Sequence, residues 1–505
     1  MPDTLFAALE RAVPDLNKPL FILADGETVS YGETFALAAR FADALHGLGI
    51  RPGDRVAVQV DKSWQAIALY VGTLKAGAVY LPLNTGYTES EISYFLSDAQ
   101  AALFVCRPAL LQSLSKVAHA AGVAAVASLG TKGEGTLMDA AEGTEGASAP
   151  VARGPDDLAA ILYTSGTTGR SKGAMLSHGN LLSNASTLKD YWRFTEKDVL
   201  LHALPIFHTH GLFVATNTLM LAGGSMIFLP KFDADEVLRL LPQATSMMGV
   251  PTFYTRLLDH PGLTREAAAH VRLFTSGSAP LLAETHAEFE ARTGHRILER
   301  YGMTETNMNT SNPYDGDRRP GTVGFPLPGV ELRVADPDTG AALATDEIGG
   351  LEVRGPNVFL GYWQMPEKTA EEFRDDGFFI TGDLGKIDVD GYVHIVGRAK
   401  DLIISGGYNV YPKEIESEID QLDGVLESAV IGVKHRDFGE AVTAVVVARK
   451  GSQPTERDIQ TSLDGRLARF KIPKRVVFVD ELPRNTMGKV QKNLLREEFG
   501  DLYAG

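Results

Sequence analysis

Up to residue 330, short apolar runs alternate with amphipathic stretches of helical length, and this rhythm limits the fold more than any other feature. Residues 55–60 and 78–82 are strand-like runs, and residues 63–76 between them carry a helical pattern. Residues 158–164 form another apolar run, which ends in a loop of Gly, Ser and Thr. Residues 225–229 and 273–276 repeat the theme. A parallel strand pair needs a long crossover, which a helix supplies. The rhythm therefore predicts an α/β fold with mainly parallel sheets. Segment 331–397 breaks it. Short β-like runs at 331–334, 351–354 and 392–396 are separated by turns at Gly340, Gly349/Gly350 and Asp390/Gly391. That spacing predicts a small antiparallel β subdomain.

Charge marks a second division. The 505 residues hold 48 Lys/Arg against 64 Asp/Glu, a formal net charge of −16. From Arg398 onward there are 17 of each sign, so the whole deficit lies before it. A shift of this kind predicts two domains, 1–397 and 398–505. The second reads as a small α+β unit, with helices at 412–421 and 457–467 and strands at 425–432, 441–448 and 476–478. Residues 131–149, rich in Gly, Ala, Thr and Glu, read as a surface connection.

With 44% hydrophobic and 22% charged residues, the chain has globular composition. No run approaches the ~20 apolar residues of a membrane span. The acidic balance argues against general nucleic-acid binding. A single cysteine, Cys106, excludes a disulfide framework and argues against a cysteine zinc site. The N-terminus lacks a basic leader before an apolar stretch, so a cytoplasmic location is expected.

The strongest local motif is Tyr163-Thr-Ser-Gly-Thr-Thr-Gly-Arg-Ser-Lys-Gly173. Glycines let a backbone approach phosphate closely, N–H and O–H groups donate, and Lys172 adds charge. The spacing is not that of a Walker A loop. Four more motifs follow: Tyr301-Gly-Met-Thr-Glu-Thr306, Thr381-Gly-Asp383, Gly397-Arg-Ala-Lys-Asp-Leu402 and Pro483-Arg-Asn-Thr-Met-Gly-Lys489. Each is weak alone. In this order they resemble the adenylate-forming superfamily, from about residue 25 to the end. Residues 191–194, 202–211 and 299–314 look like its malonyl-CoA synthetase branch. Ser171 departs from the superfamily, many of whose members have proline before the loop lysine; serine adds a donor where proline would stiffen the turn.

The resemblance implies a large domain of two α/β subdomains and a β subdomain, with a mobile α+β C-terminal cap. It also implies a two-step ligation. A carboxylate attacks the α-phosphorus of ATP, and the thiol of CoA then attacks the acyl-adenylate. By this resemblance ATP and AMP meet Thr164, Ser165, Gly166, Thr167, Thr168, Gly169 and Lys172. They also meet Ser278, Ala279, Pro280, the stretch Glu299, Arg300, Tyr301, Gly302, Met303 and Thr304, and then Asp383 and Arg398. Lys489 is the expected catalytic lysine, with His208 and Glu305 beside it. Glu305 and Thr164 are the expected Mg²⁺ ligands, because that cation prefers oxygen. Lys400 stands at the expected hinge. Ser405, Gly406, Gly407, Tyr408 and Arg436 are expected near CoA, with Lys471 a further candidate cation.

Malonate has a second carboxylate, and burying it requires a fixed cation. Arg256, at the start of an expected helix, is taken as that clamp, with His208 and Ser276 or Ser278 lining the pocket. Methylmalonate is a further substrate under this reading, since one methyl group discriminates weakly. Two alternatives stay open: a ligase for another small acid, and an adenylation enzyme loading a free-standing carrier protein. A nucleotide-binding protein without activity is disfavoured by Lys489, Glu305 and Asp383. The sequence does not give the oligomeric state.

Overall fold

The computed structural model describes residues 4–164, 171–406, 408–485 and 488–503. Four sheets account for the strands among them. The first runs in the order Gly361–Tyr362, Lys172–Ser177, Leu158–Thr164, Val79–Pro82, Arg55–Gln59, Leu103–Cys106 and Ala125–Ser128. Its interior pairings are parallel, and antiparallel partners close one edge. The second runs Phe325–Pro326, Asn307–Ser311, Leu298–Met303, Leu273–Ser276, Ser246–Gly249, Val199–His202, Ser225–Phe228, Pro19–Ile22 and Thr28–Ser30. It too is parallel inside and antiparallel at its ends. The expected α/β layering is therefore present twice.

The helices that cover these sheets follow from local signals. Ser63 caps Trp64–Lys75 by accepting from the Ala66 N–H at 3.2 Å. That helix is apolar on nearly every side, so it is buried between neighbours. Gly72 lets it approach the helix Tyr31–Gly47, because a Cβ there would stand 2.6 Å from the Ala38 carbonyl oxygen. One apolar core spans both sheets and includes Tyr70, Tyr80, Trp192, Phe213 and Phe359. A shared core holds the two α/β units as one platform.

Segment 331–397 folds as the expected antiparallel sheet, in the order Glu331–Ala335, Gly349–Arg354, Phe379–Ile387 and Val393–Arg398. Two local readings need correction. Gly349 and Gly350 do not form a turn but start a strand, where Gly349 is needed because a Cβ would meet the Ala335 carbonyl at 2.5 Å. Residues 131–149 are not simply a surface connection. They include the helix Thr136–Glu142, whose Leu137 and Ala141 are fully buried.

The C-terminal sheet runs Tyr408–Val410, Ile403–Ser405, Gly439–Ala448 and Val425–His435, with Arg475–Val479 also paired to Gly439–Ala448. The helices Pro412–Ile419 and Glu456–Leu463 bury Ile415, Ile419, Ile459 and Leu463 in its core. This unit meets the larger one at several places, two of which are set by single residues. The Arg449 guanidinium contacts both Glu284 carboxylate oxygens at 2.9 and 3.0 Å. Gly488 lies against Thr252, which a Cβ would meet at 3.3 Å.

One buried acid gives the cap a pH-dependent stability. Asp420 is 8% exposed, accepts from Ser428 at 2.7 Å, and is pushed by burial up to about 6. A raised acid favours the native state most where it is protonated. That stability is present below the ordinary aspartate pKa and is lost as pH rises through about 6. Asp420→Asn keeps the acceptor and removes the charge. It should stabilise the cap by about 2–3 kcal/mol at pH 7.5 and by almost nothing near pH 4, the value of a shift of about two units. Thermal or urea unfolding at both pH values checks this; equal effects at both would refute it.

Candidate active site

Ligands of open α/β sheets bind beyond the carboxyl ends of the parallel strands. In the second sheet those ends deliver four groups of residues. Val199–His202 leads into the loop bearing His208 and His210. Ser246–Gly249 leads into the helix Pro251–Leu258. Leu273–Ser276 leads into Gly277 and Ser278, and Leu298–Met303 carries Arg300 and Tyr301.

The nucleotide candidates gather around Asp383. Its strand pairs antiparallel with Val393–Arg398, in a register that sets Asp383 opposite Arg398. Arg398 Nε lies 2.6 Å from Asp383 Oδ1. The Tyr301 hydroxyl donates to the other oxygen, Oδ2. Gly302 follows at a hairpin too tight for a side chain, since a Cβ would lie 1.7 Å from the Asn307 carbonyl oxygen. Met303 packs against the main core, and Thr304 precedes the buried Glu305.

Thr164 and Lys172 face each other across an antiparallel hairpin, with the Thr164 hydroxyl 3.5 Å from the Lys172 carbonyl. Ser165, Gly166, Thr167, Thr168 and Gly169 lie outside the described residues, as does Gly407. The Lys172 ammonium contacts Glu372 Oε1 at 2.9 Å and lies 3.9 Å from the centre of the Tyr362 ring. The Tyr362 hydroxyl lies 2.7 Å from Glu372 Oε2 and 3.0 Å from Glu305 Oε1. Glu372 and Tyr362 thus join the loop lysine to Glu305. Neither carries a sequence signal, because both act through a fold contact across about 200 residues of chain. Burial pushes the Glu305 carboxyl up. A buried carboxyl with no cationic hydrogen-bond partner among the described residues fits a hard divalent cation.

Lys489 comes from the cap. Its loop is closed by Lys489 N–H donating to Asn485 Oδ1 and Asn485 N–H donating to the Lys489 carbonyl, both at 2.9 Å. Lys489 is exposed over the residue as a whole. Its ammonium sits deep enough in the cleft for burial, then the Arg398 and Lys400 cations, to push its pKa down to about 8. Lys400 is exposed, and its own pKa is lowered by burial and by Arg398 and Arg496. Arg496 anchors this segment through Asp401 at 2.6 Å.

The acyl side differs from the sequence-based expectation. Arg256 is not buried. It lies exposed in the last turn of Pro251–Leu258, one helical turn after Thr252, on the side that faces the Lys489 loop. The enclosed cation is Arg300, which is 3% exposed. Among the described residues its Nε and Nη2 have no hydrogen-bond partner, and burial pushes it down to about 9. Gly277 makes room for it, because a Cβ there would lie 2.3 Å from Arg300 Nη1. Arg300 stood in a motif assigned to nucleotide, and only burial distinguishes it from Arg256.

Around Arg300 the polar groups are neutral. His208 is pushed down to about 4 by burial, then by Arg300 and Lys489. His210 is lowered well below the ordinary histidine value by burial and by Arg300. His210 Nδ1 lies 3.3 Å from Ser278 Oγ, and its Nε2 has no partner. Ser278 holds a left-handed backbone, φ +71°, which turns the chain at the strand end. Ala279 and Pro280 follow it toward the surface. The Ser276 hydroxyl is buried without a partner. The Glu299 carboxylate is engaged inside the fold, 3.5 Å from His286 Nδ1, and accepts from the Gly321 N–H at 3.2 Å.

The thioester-side candidates lie on the cap. Ser405 is buried, Gly406 has φ +59°, and Tyr408 is exposed and stacked on Phe470 at 4.6 Å. Arg436 is exposed. Lys471, the further candidate cation, pairs with Glu414 at 2.6 Å inside the cap.

Comparison with known proteins identifies the family. The AMP-binding enzyme family matches residues 9–363, and the AMP-binding enzyme C-terminal domain matches residues 414–489. ATP-bound MatB from Rhodopseudomonas palustris is 62% identical, covers all of both chains and superposes with a TM-score of 0.98. The apo form of MatB gives 0.87 over the same coverage. Malonate–CoA ligase of Arabidopsis thaliana is 34% identical, over 95% of this chain and 86% of its own. Long-chain-fatty-acid–CoA ligase of Bacillus subtilis is also 34% identical, over 94% and 90%. The fold, the matched domains and the converging cleft residues together make this chain a member of the AMP-binding enzyme family.

Proposed function

We propose that the chain is a malonate–CoA ligase that forms AMP and pyrophosphate through a malonyl-adenylate. One observation carries the choice of acid. Arg300 is an enclosed guanidinium with two unpartnered nitrogens and no carboxylate partner among the described residues. An isolated buried cation is costly, and a bidentate carboxylate satisfies it in plane. A monoacid would leave it unpaired. The names of several relatives, malonate–CoA ligases from Arabidopsis and mouse among them, agree with this reading.

In the first step the free carboxylate oxygen of malonate attacks the α-phosphorus. The new P–O bond forms as the bridging bond to pyrophosphate breaks. Lys489 and Arg398 supply positive charge where negative charge develops on the phosphorane. His208 stays neutral at working pH and can hydrogen-bond the reacting carboxylate without repelling Lys489. Asp383 and Tyr301 hold the nucleoside. Glu305 and Thr164 would hold Mg²⁺, which neutralises phosphate charge when bound. In the second step the CoA thiolate attacks the acyl carbon, the C–S bond forms and AMP leaves. We place a domain boundary at residue 398 and a hinge at Lys400, about which the cap withdraws Lys489 and presents Ser405–Tyr408. The higher similarity to ATP-bound than to apo MatB supports reading this cap orientation as the adenylating one.

The test is pyrophosphate release with ATP and Mg²⁺ for malonate, methylmalonate, succinate, acetate and benzoate, with and without CoA. Malonate should exceed acetate by at least about 100-fold in kcat/KM, the value of one buried charged contact. Acetate or benzoate turning over as well as malonate would overturn the choice of acid.

A further inference from the structure

A second basic side chain, the half-buried Lys62, sits behind the histidine loop on the other sheet. Lys62 follows the strand Arg55–Gln59 of the first sheet. Among the described residues it has no carboxylate partner. Its ammonium instead reaches into the second sheet, 2.9 Å from His202 Nδ1 and 2.8 Å from the His202 carbonyl oxygen. It also lies 4.3 Å from the centre of the Phe228 ring. The far side of the same imidazole continues the chain. His202 Nε2 is 2.9 Å from the Gly211 carbonyl, which the Thr216 hydroxyl also meets at 2.9 Å.

These contacts admit one tautomer. A carbonyl oxygen can only accept, so Nε2 carries the proton that goes to Gly211 and Nδ1 accepts from Lys62 Nζ, whose own pKa burial lowers well below the usual lysine value. Burial and the neighbouring Lys62 keep His202 uncharged. Gly211 is the second residue of the π-helical segment His210–Asn217, and a Cβ on it would stand 2.0 Å from the Pro205 carbonyl. The Leu212 N–H donates to the His208 carbonyl at 3.0 Å. Thr209 Oγ1 donates to Asn307 Oδ1 at 2.5 Å, which fixes the loop from its other side. The loop that carries His208 and His210 is therefore pinned at its base by His202.

We infer that Lys62 and His202 form a positioning relay across the two α/β units, which sets His208 against the malonate carboxylate. The inference rests on the proposed reading of His208 as a substrate-facing group. Lys62 touches no substrate; it orients His202, and His202 orients the loop. A half-buried lysine without a carboxylate partner among the described residues would ordinarily be a liability, since its ammonium is costly to desolvate. The relay gives that cost a counterpart in the geometry of the site, where a misplacement of about 1 Å can lower the rate about 100-fold.

The experiment uses the whole enzyme and measures malonate-dependent pyrophosphate release. Lys62→Met should lower kcat with malonate about 10–100-fold, leave KM for ATP within about twofold, and leave the melting temperature within a few degrees. His202→Gln retains a donor toward Gly211 and should keep at least about a third of the parent rate, whereas His202→Leu should fall as Lys62→Met does. The decisive arm is a cycle with His208→Ala. In that background Lys62→Met should cost less than about twofold more, because the group it positions is gone. A full multiplicative loss there overturns the relay, as does parent-like kcat in Lys62→Met. If Lys62→Met does not fold, the contrast between glutamine and leucine at His202 decides, and equal losses overturn the relay. A parent enzyme inactive with malonate would instead sink the functional proposal.

Discussion

Replacing Arg300 with leucine should lower kcat/KM for malonate by about 10²–10⁴-fold, the rate equivalent of the 3–5 kcal/mol lost when one partner of a buried ion pair is removed. The effect should be selective. Propionate or butyrate, which place a methyl-terminated chain where malonate has its second carboxylate, should hold their rates or gain. The physical reason is the lining of the pocket: Arg300 is enclosed, and Gly277 is cut back to admit it. Arg256 gives the comparison. It is exposed at the mouth, where solvent screens charge, so Arg256→Leu should cost about tenfold or less, mainly through KM. Steady-state kinetics on the two variants with malonate and butyrate reads both effects. Equal losses for the two acids at position 300 would mean that Arg300 supports the fold rather than the acid.

Lys489→Ala should remove the first half-reaction almost entirely, by about 10³-fold or more, since a charge aimed at the transition state is lost. The same protein given synthetic malonyl-adenylate and CoA should form thioester within a few-fold of the parent rate. Loss of both steps would place Lys489 in the thioester site as well and contradict the cap rotation. The parent enzyme carries a pH signature of the same residue. With Lys489 near 8, its protonated form is depleted as pH rises. The value of kcat/KM for ATP should therefore fall above about pH 8, because that quantity follows the free enzyme's ionisations. A flat profile to pH 9.5 would show that the lysine charge is not required in the free enzyme.

What could be read from the chain depended on whether the signal was local. The alternation of strand and helix, the antiparallel character of 331–397 and the neutral C-terminal unit all depend on nearby residues, and all reappear in the structure. Thr381-Gly-Asp383 was legible as a motif, but the strand Phe379–Ile387 that carries it was not, because its apolar pattern is interrupted at Gly382 and Asp383. The helix Thr136–Glu142 was hidden by its small residues, and tertiary packing on Leu137 overrides their weak signal. Arg256 and Arg300 are both arginines in plausible motifs, and only the burial of a strand against its sheet separates them. Glu372, Tyr362 and Lys62 act through partners far away in sequence. No local pattern marks them, and a single chain without its fold cannot show which charges meet.

The strand Pro19–Ile22 lies between Thr28–Ser30 and Ser225–Phe228, and this placement bears on the birth of the protein at the ribosome. The first sheet draws its parallel strands from residues before 165, so the nascent chain can assemble it early. The opening hairpin has to wait for a partner about 200 residues downstream, which at 5–20 residues per second is about 10–40 s. Through that interval an apolar strand edge is exposed, the feature most prone to pair with the wrong chain. Slow translation between residues 30 and 230 therefore lengthens the vulnerable period, and a chaperone that shelters the first thirty residues would raise the yield of this enzyme more than one acting on the finished chain.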